Sequence, residues 1–295
     1  MIRVDTAGPI RGWRSTRAAG ALAGIAMLAA IGAVACAASH DTRAAEIVRL
    51  EAGARGPLHD RALLRVLTWN VHGRAQARHP EHLAAVARTL RALGADVAML
   101  QEVHRDTPLS SGRDQLVELM EATGTDACFA RTRSLGEGDY GLAVLSRLPI
   151  VEAESIDLPG GGEPRMVLRC RLRRRSGEPL DVYTVHLSAW GVLNAGRRER
   201  QVARALEMIA AGSTAIVGGD FNAGLDAGEL RALADSRLDP TLDGGAATYR
   251  GWGGRSFDHL LVAPELEVRS SRVVESGPSD HWPVLAEVAF AGVAR

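Results

Sequence analysis

The sequence contains no lysine, so its 35 basic side chains are all arginines. A genome-wide codon preference explains this bias as simply as phosphate binding does, so arginine richness is weak evidence for a phosphate ligand. Aromatic residues form only 4% of the chain, whereas proteins that bind single-stranded nucleic acid stack its bases on aromatic side chains. The composition therefore gives nucleic-acid binding little support.

Cysteine is also scarce, with three residues in the chain of 295. There is no cysteine cluster and no His-x-x-x-His spacing, which are the usual signs of a zinc site. In an exported protein Cys128 and Cys170 would be able to form a disulfide. Two buried free thiols are the alternative, because the sequence does not give the separation of the two residues.

The sequence has no internal repeat, and its biased composition is confined to the N-terminus. Four arginines precede an uncharged run of small and apolar residues, 18–39. This pattern is typical of an export signal, and residues 1–38 are assigned to a signal or an N-terminal anchor. The segment is cleaved, kept as an anchor because it approaches the roughly 20 residues that span a bilayer, or lipidated at Cys36. The expected location is periplasmic, secreted or anchored to the envelope.

The chain lacks an excess of either charge, with 35 basic and 35 acidic residues. Removal of residues 1–38 leaves 31 basic and 34 acidic residues, a formal net charge of −3. A protein that binds duplex nucleic acid usually has a basic surface. The one dense basic run, residues 169–175, alternates arginines with apolar residues. It predicts a strand whose arginines face solvent and whose Cys170 faces the core.

The folded part is predicted to begin at residue 62, after a linker over residues 39–61 without a sustained strand pattern. A strand over 63–71, a helix over 80–93 and a strand over 95–103 then follow one another. This succession is typical of an α/β unit.

The rest of the chain predicts two more helices and two groups of strands. The helices are expected over 114–123 and over 197–212. Strands are expected over 141–157 with an interruption at Pro149, and over 166–173, 180–187, 214–224, 256–263, 266–274 and 284–290. Short turns between successive strands favour antiparallel pairing, so we expect mixed sheets.

The segment IVGGDFNAG, residues 216–224, ends an apolar run with two polar residues spaced two apart. In a strand, Asp220 and Asn222 project to the same side. A turn is the alternative, since glycine, aspartate and asparagine are typical turn residues. Other predicted strands are also flanked by polar residues: Asn70 and His72, Gln101 and Glu102, His186, Asp258, and the pair Asp280 and His281.

Acids that meet at one rim of a sheet repel each other unless a cation or hydrogen-bond donors are present. Glu102, Asp220, Asp258 and Asp280, with the amide of Asn70, offer oxygen atoms. Oxygen ligands suit a hard ion such as Mg²⁺ or Mn²⁺. Each residue alone also has a structural explanation, such as a backbone hydrogen bond or a helix cap. It is their joint arrangement that favours a metal-dependent site.

The motifs TWNVHG, LQEV, YGLAVLSRLPI, VHL, GGDFNA, FDHLLV and SDHWPV occur in this order between residues 68 and 285. In this order they resemble the endonuclease/exonuclease/phosphatase superfamily. Its members include pancreatic-type deoxyribonucleases, apurinic-site endonucleases, neutral sphingomyelinases and inositol-polyphosphate 5-phosphatases. The resemblance implies an α/β fold, a four-layer sandwich of two mixed β-sheets packed face to face with helices on the outer faces. It also implies one catalytic domain over residues 62–295.

The resemblance further implies metal-dependent phosphoester hydrolysis and a role for each polar residue. Asn70 and Glu102 match the principal metal site, with Asp280 close by. A Mg²⁺ ion at such a site polarises the phosphoryl oxygen and neutralises charge as water attacks. Asp220 and Asn222 match the pair that orients the attacking water and holds the transition state.

The two remaining matches concern histidines. His281 matches the residue that contacts the phosphate, and Asp258 matches the carboxylate that orients its imidazole. His186 matches the general acid of deoxyribonuclease-like and sphingomyelinase-like members, a position where apurinic-site enzymes have tyrosine. For the base that takes the proton from water, Asp220 is the first candidate and His281 is the rival.

Two positions depart from the family pattern. His72 stands where several branches have aspartate, which weakens the prediction of a second carboxylate metal site. Arg255 lies three residues before Asp258, whereas many members have an arginine two residues before the aspartate.

We therefore expect an exported, Mg²⁺-dependent monomer that hydrolyses a phosphodiester or phosphomonoester. A small phosphoester or a phospholipid headgroup is preferred as substrate, because the mature chain is acidic and poor in aromatic residues. A secreted deoxyribonuclease-like endonuclease is the alternative, and a non-catalytic binding module is a further one. The loop over residues 188–201, with Trp190, Arg197 and Arg198, either faces the substrate or caps the helix that follows it.

Overall fold

A computed structural model of the chain describes residues 42–51, 56, 63–189, 191–209, 213–251 and 253–291. The first strands in this part of the chain are β1 (Arg43–Ala44), β2 (Glu46–Val48), β3 (Leu64–Asn70), β4 (Val97–Arg105), β5 (Asp126–Leu135), β6 (Gly138–Ser146) and β7 (Ile150–Leu158). They are followed by β8 (Arg165–Arg173), β9 (Pro179–His186), β10 (Ala215–Asp220), β11 (Asp239–Pro240), β12 (Asp258–Val262), β13 (Leu266–Val273) and β14 (Val284–Phe290). The helices are α1 (His82–Leu93), α2 (Gln115–Thr123), α3 (Val192–Met208) and α4 (Arg231–Ala234).

The strands form two seven-stranded sheets. The first has the order β1-β7-β8-β9-β10-β12-β11, and the second has the order β13-β14-β3-β4-β6-β5-β2. Each sheet contains a parallel pair among otherwise antiparallel neighbours, β9 with β10 in the first and β3 with β4 in the second. Both sheets are therefore mixed, as predicted.

The inner faces of the two sheets pack against each other through apolar side chains. This layer includes Val66 and Met99 from one sheet and Leu168, Val182 and Ile216 from the other. Cys128 and Cys170 also lie in it, and both are buried free thiols. Of the two alternatives for these cysteines, the structure contains free thiols.

Helices cover the outer faces of both sheets. Leu83, Val86 and Leu90 of α1 pack with Leu116 and Leu119 of α2 on the β3–β4 sheet. On the other sheet, the apolar outer layer includes Val202 and Ala205 of α3 and Leu233 of α4. The predicted α/β fold of four layers is thus confirmed.

Local signals explain where the first two helices begin and end. Asp114 precedes α2 and accepts hydrogen bonds from the backbone nitrogens of Leu116 and Val117, as an N-cap residue does. Gly94 and Gly124 follow α1 and α2 with φ values of 59° and 67°. This left-handed conformation favours glycine and terminates helices.

Three predictions of secondary structure need correction. Residues 39–61, predicted as a linker, contribute the strands β1 and β2, which are too short to show an alternating pattern. Strand β5 was not predicted, because its exposed half is polar on successive residues. Helix α3 begins at Val192 rather than at residue 197, and the predicted end of the helix at residues 210–212 lies outside the described residues.

The predicted export signal over residues 1–38 also lies outside the described residues. Among the residues that are described, none of the helices combines the length and the apolar character needed to cross a bilayer.

Candidate active site

The strand directions bring the polar strand ends to one rim of the sandwich. In the two parallel pairs, Asn70 is the register partner of Gln101, and Asp220 is that of His186. Strand β12 runs antiparallel to β10 and begins with Asp258 opposite Asp220. The sheets are joined near this rim by Gln101, whose Nε2 donates to Thr184 Oγ1 of the facing sheet at 2.9 Å and lies 3.2 Å from Thr68 Oγ1.

A cleft of about 440 Å³ opens at this rim. Seven of the eight predicted site residues line it, namely Asn70, Glu102, His186, Asp220, Asn222, Asp280 and His281. The eighth, Asp258, lies behind His281 and bonds to it. Residues that are far apart in the sequence therefore share one cavity.

Asp220 lies at the centre of this group and is almost completely buried. Its Oδ2 accepts a hydrogen bond from Asn70 Nδ2 at 3.1 Å, and its Oδ1 accepts one from the backbone nitrogen of Asn222 at 2.9 Å. The Nε2 atoms of His186 and His281 lie 3.5 Å and 3.8 Å from Asp220 Oδ2. The carboxylate is thus held between two imidazole rings.

The two alternatives for the Asp220–Asn222 segment combine in the structure. Strand β10 ends at Asp220, and Asn222 lies beyond it with φ 53° in the left-handed region. The Asp220 side chain accepts from the backbone two residues on, which is the hydrogen bond of an Asx turn. Asn222 Nδ2 donates to the carbonyl oxygen of Leu187 at 3.2 Å and so fixes its amide against the end of β9.

His281 is positioned from both sides. Its Nδ1 lies 2.7 Å from Asp258 Oδ2, and its carbonyl oxygen accepts from Trp69 Nε1 at 2.9 Å. Thr248 Oγ1 accepts from the backbone nitrogen of Asp258 at 2.9 Å and anchors the start of β12. Because Nδ1 faces a carboxylate, Nε2 is directed to the cleft.

Burial and neighbouring charges shift the pKa values of this group. Burial raises the pKa of Asp220 to about 7, and the Asp258 carboxylate adds to the rise. Burial lowers the pKa of His281, but the carboxylates of Asp258 and Asp220 outweigh it and raise the pKa to about 10. Burial and the charges of Arg165 and His281 hold the pKa of His186 well below its ordinary value. At neutral pH, His281 is therefore charged and His186 is neutral.

The predicted metal ligands Asn70, Glu102 and Asp280 line the same cleft as Asp220. Glu102 has a φ of 62° at an irregularity in the pairing of β4 with β6, and its Oε1 accepts from Asn70 Nδ2 at 3.1 Å. Asp280 Oδ1 lies 2.7 Å from His72 Nδ1, and this hydrogen bond opposes the effect of burial and lowers the pKa of Asp280.

The donor set fits a hard divalent ion, because Glu102, Asp220 and Asp280 offer carboxylate oxygens within one cleft. Asn70 presents its amide nitrogen to Glu102 and Asp220, while its Oδ1 accepts from the backbone nitrogen of His72 at 3.0 Å. Ligation through Asn70 Oδ1 therefore requires the amide to rotate.

A second group of potential ligands lies deeper in the same site. One ligand atom each from Asp220, Asp258 and His281 lie within 4.8 Å of one another. Asp258 Oδ1 in this group is buried and has no hydrogen-bond partner among the described residues. The site thus offers two sets of donors that share Asp220.

Several residues that line the cleft were not predicted. They are Arg74, His104, Leu109, Arg133, Tyr140, Glu163, Arg165, Tyr249 and Phe257. Most of them lie in stretches whose polar residues read as solvent-facing, so the sequence carried no distinguishing signal. Arg255, which lies three residues before Asp258 where many family members have arginine two before, also lines the cleft.

The predicted substrate loop over residues 188–201 has mainly a structural role in the described part of the chain. Only Ala189 of its described residues lines the cleft. Arg198 is buried, donates to the carbonyl oxygen of Ala189 at 2.9 Å and pairs with Glu229 at 2.7 Å. The alternatives were a loop that faces the substrate and a loop that caps the helix. The contacts of Arg198 favour the second, because its side chain stabilises the loop that precedes the helix. Trp190 lies outside the described residues.

Two mixed sheets in a four-layer sandwich, with carboxylates and imidazoles at one rim, define a scaffold of the phosphoesterase and nuclease class. The model of the Endonuclease/Exonuclease/phosphatase family matches residues 67–281. The chain therefore belongs to the endonuclease/exonuclease/phosphatase family.

Known proteins of this kind resemble the chain in sequence and in structure. The protein YbhP of Escherichia coli K12 is 32% identical over 171 residues, which cover 54% of this chain and 66% of YbhP. A crystal structure of an endonuclease/exonuclease/phosphatase from Beutenbergia cavernae is 25% identical, has a TM-score of 0.69, and covers 79% of this chain and 72% of its own. The human Nocturnin catalytic domain with bound sulfate has a TM-score of 0.67 at 20% identity over 84% of this chain and 97% of its own, a likeness in fold alone.

Proposed function

We propose that the protein is an exported, Mg²⁺- or Mn²⁺-dependent hydrolase of a phosphodiester or phosphomonoester. The observation that carries this proposal is the buried Asp220 carboxylate, held by Asn70 Nδ2 at 3.1 Å and lying 3.5 Å from His186 Nε2. Such a carboxylate, with its pKa raised to about 7, suits proton transfer at neutral pH.

In the proposed reaction, Asp220 takes the proton from the attacking water, and Asn222 helps to orient that water. His281 carries a positive charge at neutral pH, because its pKa is raised to about 10. It is therefore suited to binding the phosphate and less suited to acting as the base. This difference favours Asp220 over His281 in the base role.

His186 is proposed to donate the proton to the leaving group. Its ring is neutral in the substrate-free site, because burial and the charge of Arg165 lower its pKa. The negative charge of a bound phosphoester would raise that pKa and favour uptake of the proton that the leaving group needs. His186 and Asp220 are register partners at the ends of β9 and β10 and line the same cleft, which supports roles for both on one bound phosphoester.

The metal is assigned to Glu102 and Asp280, with Asn70 after rotation of its amide. When bound there, Mg²⁺ supplies Lewis-acid polarisation of a phosphoryl oxygen and neutralises negative charge. The close approach of Glu102 and Asp220 to the same Asn70 amide supports this assignment, because two carboxylates so close together favour a cation between them.

A small phosphoester or a phospholipid headgroup is the proposed substrate. The acidic balance of the chain after residue 38 supports a small ligand over a long polyanion. The N-terminal sequence pattern supports export, with the mature protein periplasmic, secreted or attached to the envelope, and we propose that it acts as a monomer.

A deoxyribonuclease-like activity is the second candidate. It is favoured by four arginines in the walls of the cleft, Arg74, Arg133, Arg165 and Arg255. Guanidinium groups bind backbone phosphates, so this lining is compatible with a nucleic-acid strand.

The proposed chemistry is tested by hydrolysis of bis-p-nitrophenyl phosphate by the purified full-length protein, with Mg²⁺ and with EDTA. We expect activity only with the metal, and a loss of at least about a hundredfold in the Asp220→Asn variant. Asp235→Asn, which alters an exposed acid at the C-terminal end of α4 that does not line the cleft, is the matched control. Equal rates in all of these samples would refute an enzymatic role for the site.

The substrate class is tested with plasmid DNA and with sphingomyelin vesicles under the same conditions. Release of phosphocholine without nicking of the plasmid is the expected result. Nicking that requires both Mg²⁺ and an intact His186 would establish the second candidate instead.

A further inference from the structure

The wall of the cleft beside His186 contains two arginines that share one carboxylate. Arg133 Nη2 lies 3.4 Å from Glu163 Oε1, and Arg165 Nη2 lies 3.0 Å from Glu163 Oε2. All three side chains line the cleft that contains the catalytic group. A positive charge therefore remains after the one carboxylate is counted.

The charged side chain of Arg165 is only 5% exposed. Its Nε–H has no hydrogen-bond partner among the described residues, and Glu163 supplies its one charged partner. A guanidinium group has five N–H donors, and a buried charge is costly unless it is paired and hydrogen-bonded. The described protein groups therefore leave part of the cost of burying Arg165 uncompensated.

The position of this pair in the cleft follows from the sheet. Arg165 begins β8, which runs antiparallel to β9, and it lies two residues before Val167, the register partner of Val185. Arg165 and His186 both line the cleft. Arg165, Tyr140 and His186 also line one small cavity in common. Arg133 lies over the Tyr140 ring at 5.3 Å, and the His104 ring lies 4.9 Å from the same ring. The pair thus lies beside the tilted rings of His104 and Tyr140, in the cleft that also contains His186.

We propose that Arg133 and Arg165 form a second anion subsite, which binds a phosphate or carboxylate group carried by the leaving group of the substrate. The inference rests on the proposed function, because it is the role of His186 as proton donor that makes this the leaving-group side of the cleft. The substrate is then a phosphoester with a second negative charge beyond the scissile phosphate.

A purely structural ion cluster is the competing explanation. Such a cluster is present on the same strand at Arg131, which lies 3.7 Å from Asp139, has a side chain that is 62% exposed and does not line the cleft. In the Arg131–Asp139 pair, one arginine is neutralised by one carboxylate. In the cleft, two arginines meet one acid, and Arg133 keeps a side chain that is 41% exposed and accessible to a ligand.

The test compares two chromogenic substrates that differ only in a carboxylate on each aryl ester group. They are bis(4-nitrophenyl) phosphate and bis(3-carboxy-4-nitrophenyl) phosphate, assayed with the full-length protein and Mg²⁺. We expect kcat/KM to be about tenfold higher for the carboxylated substrate, mainly through a lower KM. The ratio of the two kcat/KM values within one variant does not depend on the fraction of folded protein.

Two variants then locate the source of the preference. Arg133→Gln is expected to bring the ratio to about one, whereas Arg131→Gln is expected to keep the wild-type ratio. A wild-type ratio near one, or an equal loss of preference in both variants, would overturn the subsite.

Binding of the same two compounds in EDTA, measured by calorimetry, separates this inference from the proposed function. If neither compound is hydrolysed but the carboxylated one still binds more tightly in an Arg133-dependent manner, the subsite stands and the proposed hydrolysis fails. If both compounds are hydrolysed and bind equally, the hydrolysis stands and the subsite fails.

Discussion

At the scale of single residues, the proposed role of His186 as proton donor can be measured only with a substrate whose leaving group needs a proton. A general acid matters most when the leaving group is a poor one, because a good leaving group departs without a proton. The His186 Nε2 atom also lies 3.5 Å from Asp220 Oδ2, so the ring contacts the carboxylate as well. An experiment must therefore separate the donation of a proton by His186 from its contact with the Asp220 carboxylate.

We predict that His186→Gln lowers kcat on the order of 10²- to 10³-fold for a phosphodiester with an alkyl leaving group, and by less than about tenfold for bis-p-nitrophenyl phosphate. The readout is the ratio of the two losses in steady-state assays with Mg²⁺. Equal losses for both substrates would assign His186 to the support of Asp220 and not to proton donation.

His82 gives a prediction about stability and pH at the same scale. It is buried, and its Nε2 lies 2.8 Å from the carbonyl oxygen of Val71. Burial lowers its pKa in the folded protein below the ordinary value of 6.5. The unfolded chain therefore takes up the proton at higher pH than the folded protein does, and the contribution of His82 to stability is present above about pH 6.5 and lost as the pH falls below it.

We predict that His82→Gln, which keeps a donor for the Val71 carbonyl, reduces the loss of stability between about pH 7 and pH 5. The measurement is the free energy of unfolding from urea titrations across this range. His79→Gln changes an exposed histidine just before the same helix and is expected to keep the wild-type slope. An unchanged slope in His82→Gln would show that the ring does not contribute to the pH dependence.

The residues of the site were predictable to different degrees for a physical reason. Glu102 lies within β4, Asp220 ends β10 and His281 lies shortly before β14, and their order along the chain carries a family pattern. Arg133, Glu163 and Arg165 carry no such pattern, because arginine and glutamate next to loops usually face solvent. Arg133 lies on β5 of one sheet and Arg165 begins β8 of the other, and only the packing of the two sheets brings Arg133 to Glu163 beside Arg165.

At the scale of elements, the glycines of β10 determine how closely the strand packs. A side chain on Gly219 would overlap the carbonyl oxygen of Val185 in the neighbouring strand β9. On Gly218, a Cβ atom would lie 2.8 Å from the Cε of Met99 in the facing sheet. The two glycines before Asp220 therefore allow β10 to approach both the adjacent strand and the opposite sheet.

We predict that Gly219→Ala destabilises the protein by roughly 1–3 kcal/mol, because a backbone oxygen cannot rotate away from the added methyl group. Urea denaturation monitored by circular dichroism measures the change. Gly245→Ala is the control, since a Cβ atom there meets nothing within 4 Å. Equal stability of the two variants would mean that β9 and β10 can separate without cost.

At the scale of the whole molecule, the layer order could be predicted only through the family resemblance. Alternation and turn residues indicate strands such as β8, β9 and β14, but they do not indicate which strands become neighbours. The pairing of β14 with β3 joins segments more than two hundred residues apart, for example Ala286 with Val66. Long-range pairings of this kind decide which polar ends share a rim, so local periodicity alone does not predict the site.

The convergence of acids at that rim has a consequence for global stability. Glu102 and Asp220 both accept from the amide of Asn70, and Asp280 lines the same cleft. A divalent cation that binds only the folded chain adds a free energy of RT ln(1 + [L]/Kd), about 1.4 kcal/mol at a concentration tenfold above Kd. For a domain of this size, that corresponds to a rise in Tm of roughly 3–6 °C.

We predict that Mg²⁺ and Mn²⁺ raise Tm over EDTA by this amount in differential scanning calorimetry. Glu102→Gln should abolish most of the rise while it increases Tm in EDTA, since the removal of one carboxylate relieves repulsion in the metal-free site. Glu207→Gln, on the exposed face of α3, removes the same charge elsewhere and should leave the rise intact. A metal-dependent rise that survives Glu102→Gln would place the ion with the deeper set of Asp220, Asp258 and His281, whose ligand atoms lie within 4.8 Å of one another.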